Sequence, residues 1–393
     1  MKNITTFLLI ILATSCGIAQ TIQDSITFNP QMQQNSAQRI LSGNYGKSVT
    51  VGAYAEATYN QPEGDNGELD IQRMVLLFGY KFNDKTQFFT EVELEHVSEV
   101  FVEQAFINYS VGDNVSLRGG LMLVPMGIVN EYHEPTTFNG VERPAIDNVI
   151  VPTTWRELGV GVNGRFPDAS LSYQAYVFNG FKSIEADGEG GISGFLKGSN
   201  GLRGGRQKGI QSTVDSPTFS TKLDYYGIPG LRLGLSGYFG QTQAEDDVEA
   251  IEGANIGVSM FGFDARYAFQ RVTARGQFIY ASLSDTEAYN TATGRDLGSA
   301  LMGYYAELGY NLLPVGAEQK LFAFARYENY DTHASVAGDL VRNDAYNRTD
   351  ITTGLSYHLT TGVVVKGDYQ FRDNNADNGD VDNRLNFGIG VWF

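Results

Sequence analysis

The chain has 393 residues and a formal charge of −17, with 28 Lys and Arg against 45 Asp and Glu. That balance excludes a general nucleic-acid binder, which needs a basic footprint. Its 46 Gly, 22 Tyr and 24 Phe beside 10 Pro and a single Cys suit an all-β chain with one greasy face and one wet one.

Residues 1–20 read as a secretory leader. Lys2 is basic, Phe7 to Leu12 is an apolar run, and small residues lead to a cut after Gln20. The run is too short to span a bilayer as a helix, which takes roughly 20 apolar residues. Cys16 lies within the leader, so the mature chain has no disulfide and no thiolate metal site. Residues 21–47 read as an N-terminal periplasmic segment, and 48–393 as the barrel.

From Ser48 onward, alternation with period two recurs. Met74, Leu76, Phe78, Tyr80 and Phe82 face away from Arg73, Gly79 and Lys81; Phe88, Val92 and Leu94 face away from Glu91, Glu93 and Glu95. Sixteen strands follow, at about 48–59, 69–82, 86–97, 101–111, 115–125, 156–166, 170–179, 218–226, 231–240, 256–269, 272–284, 301–312, 319–331, 349–359, 363–373 and 382–393. Most are about twice the length of strands in a soluble sandwich and match a tilted transmembrane strand. Connections alternate short and long, as in a bacterial transmembrane β-barrel with periplasmic turns and long outside loops. The turn near Ser98, on the long-loop side, breaks that rule by being very short.

Two outside loops stand out. The third, 126–155, carries Trp, Pro, Phe and mixed charge, so it is expected to be ordered and folded into the lumen. The fourth, 180–217, is Gly-rich and carries Lys182, Lys197, Arg203, Arg206 and Lys208, which reads as a flexible basic patch at the pore mouth. The acidic run 373–382 reads as the tip of the last hairpin. Leu385, Phe387, Ile389, Val391 and Phe393 alternate with Arg384, Asn386, Gly388 and Gly390. Phe393, Val391 and Ile389 together resemble the signal read by the barrel-assembly machinery.

The stretch from Phe89 to Gly180 resembles the phosphate-selective porin O and P family, in its Bacteroidetes-type branch. The residues carrying the resemblance are Glu91-Val92-Glu93-Leu94-Glu95, Glu103-Gln104-Ala105, Gly119-Gly120, Pro125-Met126-Gly127, His133-Glu134-Pro135, Val141-Glu142-Arg143-Pro144 and Trp155-Arg156-Glu157-Leu158-Gly159-Val160-Gly161. It implies a sixteen-stranded barrel, trimeric, in the outer-membrane lipid, passing small hydrophilic solutes, phosphate or other anions.

On the third loop, the candidates for the pore constriction are Arg143, Arg156, Glu142, Glu157, Glu131 and His133. Candidate lumen-facing charges are Arg73, Lys81, Glu91, Glu93, Glu95, Lys222 and Arg326. Their mixed signs leave anion or cation preference open, since a ring of one sign is what would set it. For each inward charge, a pair across the wall is the plainer reading. His96, His133, His333 and His358 fall in no nucleophile motif, so no enzyme, cofactor or metal site is expected. A closed-barrel receptor, adhesin or secretion-associated protein is the competing reading.

Overall fold

The computed structural model describes residues 33–42, 49–189, 191–245, 247–376 and 382–393. The expected leader therefore lies outside the described residues, as does the tip of the last hairpin at 377–381.

Nineteen strands are present among the described residues: β1 (Val49–Pro62), β2 (Glu68–Lys81), β3 (Thr86–Glu95), β4 (Glu99–Gly112), β5 (Val115–Leu123), β6 (Arg156–Phe166), β7 (Leu171–Phe178), β8 (Lys182–Ala186), β9 (Ile192–Gly194), β10 (Thr218–Tyr225), β11 (Leu231–Gln241), β12 (Gln243–Ala244), β13 (Gly257–Phe269), β14 (Val272–Leu283), β15 (Ala300–Asn311), β16 (Lys320–Ser335), β17 (Asn347–Thr360), β18 (Val363–Asn374) and β19 (Arg384–Trp392). Sixteen of them close an antiparallel barrel; β8, β9 and β12 form a separate small sheet. The sixteen spans read from alternation correspond one to one with the barrel strands.

The period of two sorts the side chains as expected. Met74, Val160, Phe261, Phe263, Leu355 and Phe387 are exposed on the outer face, while Arg73, Asp264, Arg266, Asp368 and Asn386 are buried on the inner one. An apolar exterior on a closed barrel is what hydrocarbon demands, because every backbone group must be paired within the wall. The turn near Ser98 is tight, with His96 and Val97 at φ 49° and 64°.

The interior departs from the expected wet lumen. Inward residues Tyr54, Val75, Leu77, Phe89, Phe106, Tyr238 and Ile279 belong to one buried apolar cluster with Met126, Ile128, Val129, Ile146, Ile150 and Trp155 of the third loop. That loop, 124–155, folds into the barrel and holds a one-turn helix, α2 (Ile146–Val149). Beneath it sits α1 (Ser36–Ser42), capped by the Asn35 side chain, which accepts from Gln38 N at 2.9 Å. The Ser36 hydroxyl donates to Glu134 of the third loop at 2.6 Å. Ile40 packs so close to the wall that a Cβ at Gly79 would collide with it. Residues 33–42 of the expected periplasmic segment thus pack inside the barrel.

β1 and β19 form the closing seam, with Tyr54 opposite Trp392 and Gln61 opposite Leu385. Phe393 completes it: its N–H donates to the Ala53 carbonyl at 2.9 Å and its carbonyl accepts from Ala53 N at 3.1 Å, while its ring is 70% exposed. Deleting Phe393 removes both bonds and the outward aromatic. Assembly into membranes should fall several-fold while export is unchanged; fractionation and heat-modifiable mobility on gels check this, and assembly at the normal level would rule out a signal at Phe393.

Candidate functional site

The third loop is tied to the wall around most of the barrel. Lys222 Nζ donates to the Gly127 carbonyl at 2.6 Å and to Glu131 at 2.8 Å. Arg73 donates to the His133 carbonyl and to Glu56, a buried ion pair. On β16 and β18, Lys366 donates to the Gly140 carbonyl at 2.8 Å, Asp368 accepts from Val141 N at 2.6 Å, and Glu328 accepts from Ala145 N at 2.7 Å. Arg326 bonds Glu328 at 2.7 Å and sits within 3.5 Å of Glu307. Gln277 accepts from Ile128 N at 2.7 Å and donates to Asp147 at 2.8 Å. A buried charge is expensive unless paired and hydrogen-bonded; Arg73, Lys222, Arg326 and Glu328 are both, while Lys366 and Asp368 are met by backbone groups of the loop.

The expected constriction residues therefore divide. Glu131, His133 and Glu157 are anchors turned into protein. Glu157 is fully buried and accepts from Trp155 Nε1 at 2.8 Å, the Tyr238 hydroxyl at 3.0 Å and Gly180 N at 3.2 Å, so its place at a constriction is corrected. His133 is buried against Tyr54, Glu91 and Glu103. Arg156 is the first residue of β6, not a loop residue. Lys222 and Arg326 are wall anchors, and Glu91 is buried. Lys81 stands at the short-turn end, 3.2 Å from Asp84.

Arg73, Glu93, Glu95, Glu142, Arg143 and Arg156 converge on a cavity of about 410 Å³ above the loop. Arg203, Arg206 and Lys208 join them from the fourth loop, with Arg348, Arg372 and Arg384 from β17, β18 and β19. Asp147 and Asp350 are the remaining carboxylates. Nine cationic side chains thus face five carboxylates, in a protein whose overall charge is −17.

The described residues of the fourth loop form regular structure and dock on the third loop, where a loose basic patch was expected. Its small sheet pairs β8 with β9 and, in parallel, with β12. Arg203 donates to the Thr153 carbonyl at 2.7 Å, and Arg206 to those of Pro152 at 2.9 Å and Thr154 at 3.3 Å. Neutral carbonyls fix these guanidinium groups in place without cancelling their charge.

Few of the cavity cations have a carboxylate of their own. Arg143 approaches only Glu56, at 3.8 Å, and Glu56 is already held by Arg73. Arg156 donates to the Thr154 hydroxyl at 3.2 Å and leaves a buried Nε without a partner. Burial, and then the charges of Arg203 and Arg156, lower Arg206 to about 9. Burial, then Arg206 and Arg156, lower Lys208 as well. Both shifts mark crowded, undercompensated cations. Burial also raises Asp147 to about 7, which makes the cavity more positive still at neutral pH. Of these, Arg348 carried no distinct sequence signal, although it stands two residues before inward-facing Asp350 on β17.

Comparison with known proteins follows the same lines. The chain is 34% identical over 350 residues, 83% of its own length and 76% of the relative's, to an Aquifex aeolicus (strain VF5) protein described only as uncharacterized. The chain belongs to that protein's family. No protein-family profile matches it. Among solved structures it is similar to the outer-membrane channel DcaP of Acinetobacter baumannii, with TM-score 0.58 and 11% identity over 89% of this chain and 99% of that one. It is also similar to an anion-selective porin from Comamonas acidovorans, with TM-score 0.57 and 13% identity over 88% and 99%. A third likeness is to Salmonella typhi OmpF in complex with daunomycin, with TM-score 0.55 and 12% identity over 88% and 98%. The shared feature is the closed sixteen-stranded barrel, and with its apolar exterior it places the chain in an outer membrane.

Proposed function

We propose that this protein is a passive outer-membrane channel that favours small anions, with phosphate and other oxyanions as its best solutes. The observation that carries this reading is the cavity above the third loop, where nine cations meet five carboxylates. A fixed charge in a narrow water path, flanked by low-dielectric protein, acts on passing ions far more strongly than in bulk water. Guanidinium forks suit oxyanions in particular, because they offer paired donors at the spacing of two oxygens. This fits the resemblance to the phosphate-selective O and P porins. Residues 1–20 are then the cleaved export leader, and a homotrimer is the assembly we expect.

The test is the reversal potential of the purified protein in a planar bilayer under a potassium chloride gradient. Chloride permeability should exceed potassium permeability by at least about threefold. Added phosphate should lower the chloride current by competing for the cavity. A cation preference would overturn the reading, and the absence of any conductance would favour the closed-barrel receptor.

A further inference from the structure

Deep in the wall, beneath the apolar part of the third loop, Tyr54, Glu91, Glu103 and His133 point at one another. All four are buried, and the three charged or basic members offer ligand atoms within 4.8 Å of one another. His133 Nε2 lies 3.6 Å from Glu91 Oε1 and 3.5 Å from Glu103 Oε2. The Tyr54 hydroxyl is 3.0 Å from the same nitrogen and donates to Glu91 at 2.7 Å. We infer that this cluster is a binding site for a divalent transition metal, best fitted by Zn²⁺, with His133 Nε2 and the carboxylates of Glu91 and Glu103 as ligands and the Tyr54 oxygen or a water in the fourth position.

Three observations carry this. The first is spacing. Bonds of about 2.0–2.2 Å in a tetrahedral zinc site imply ligand–ligand edges of roughly 3.3–3.6 Å, and both His133–carboxylate distances fall at that value while being long for hydrogen bonds. The second is the outer shell. His133 Nδ1 is 3.1 Å from the Asn130 carbonyl, which can only accept, so Nδ1 carries a proton and Nε2 is the nitrogen available to a metal. Glu91 is oriented in turn by Gln104, which donates to its Oε2 at 2.6 Å. The third is an unmet need: Glu103, fully buried, has Oε1 without any hydrogen-bond partner.

Charge balance agrees. Arg73, over the Tyr54 ring, is already matched by Glu56. Two buried carboxylates then face one imidazole. A protonated ring would still leave one negative charge in the interior, whereas a divalent ion with a neutral ring leaves none. One nitrogen and two oxygens suit Zn²⁺, Mn²⁺ or Fe²⁺ rather than Ca²⁺, which takes six to eight oxygens. Glu93, two residues along the same inward face, lines the cavity, while the four site residues lie behind it, so loading requires the third loop to give way. The metal would clamp the third loop to β1, β3 and β4. The site stands apart from the anion preference, and neither depends on the other.

To test it, the full-length barrel is stripped with EDTA in detergent, offered Zn²⁺ alone, and assayed by elemental analysis after gel filtration. About one Zn²⁺ per chain should be retained, and excess Ca²⁺ should not displace it. Glu103→Gln and His133→Gln should each weaken retention by roughly 1,000-fold or more, beyond the roughly 10–100-fold loss typical of an outer-shell change, with heat-modifiable mobility reporting that the barrel is intact. Should either variant fail to fold, Co²⁺ added to the wild type decides: visible d–d bands of a four-coordinate ion support the site. An aqueous Co²⁺ spectrum, no retained Zn²⁺, retention unchanged in a folded Glu103→Gln, or equal displacement by Ca²⁺ would each overturn it.

Discussion

Replacing Arg143 and Arg156 together with Gln should cut the chloride-to-potassium permeability ratio by about five- to thirtyfold. The change takes the cavity from nine cations against five carboxylates to seven against five. A charge roughly 8 Å from a passing ion, at an effective dielectric between that of a protein surface and that of water, contributes on the order of 0.5–1 kcal/mol. Two such charges account for the factor, since about 1.4 kcal/mol is tenfold. The cost in stability should be small. Arg143 has only a shared, 3.8 Å approach to Glu56, and Arg156 has no carboxylate partner among the described residues, so no buried acid is orphaned. The shift should grow in dilute salt, because the screening length lengthens from about 8 Å at physiological ionic strength to about 30 Å at 0.01 M. Lys81→Gln, at the short-turn end and beside Asp84, should change the ratio little. An unchanged reversal potential in the double variant would mean that these arginines hold the loop rather than select ions.

Trp155→Ala should release the third loop while leaving the barrel closed. The indole is fully buried, its ring centroid 4.7 Å from that of Phe181 and 4.6 Å from that of Tyr238, and its Nε1 donates to Glu157. Truncating a buried Trp to Ala costs about 3–5 kcal/mol, and here a buried carboxylate also loses a donor. The barrel's own ladder does not pass through this residue, so heat-modifiable mobility should persist. Single-channel currents should become larger and noisier, and chymotrypsin should cut after Tyr132 or Phe138, both buried in the wild type, which resists. Wild-type conductance together with wild-type protease resistance would show that the wall anchors suffice without the indole.

How much of this could be read from residues alone depends on the range of the interaction. Strands such as Met74 to Tyr80 were legible because outward apolar and inward polar positions alternate along the chain itself, and hydrocarbon enforces that pattern locally. The mixed-sign inward charges were legible as inward, but their partners were not. Lys222 meets Gly127 and Glu131, and Arg326 approaches the Glu142 carbonyl, through loop geometry that no period encodes. For the same reason the inward apolar residues Tyr54, Phe89 and Tyr238 gave no signal of their own, because what they pack against, the third loop, is distant in sequence. The fourth loop misled through composition: its glycines suggest mobility, yet Gly205 and Gly201 sit where a side chain would strike Lys182 or Leu301. β12 is only two residues long and reaches β8 across some sixty positions, so it gave no signal of its own.

The order of strands around the barrel has a consequence for how the chain acquires its shape. Every barrel pairing but one joins strands that follow each other along the chain, once the small sheet of the fourth loop is set aside; the exception is β1 with β19. Folding can therefore advance hairpin by hairpin, most steps closing a short loop and two closing the longer third and fourth outside loops, each at less entropic cost than joining the chain's ends. Joining the two outermost strands directly from an unfolded chain, more than 300 residues apart, would cost about 5 kcal/mol in loop closure alone. The pairing with the greatest sequence separation is then the last to form. Until it does, the growing sheet carries two unpaired edges that can capture other chains, so the interval before closure is when this protein is most exposed to aggregation.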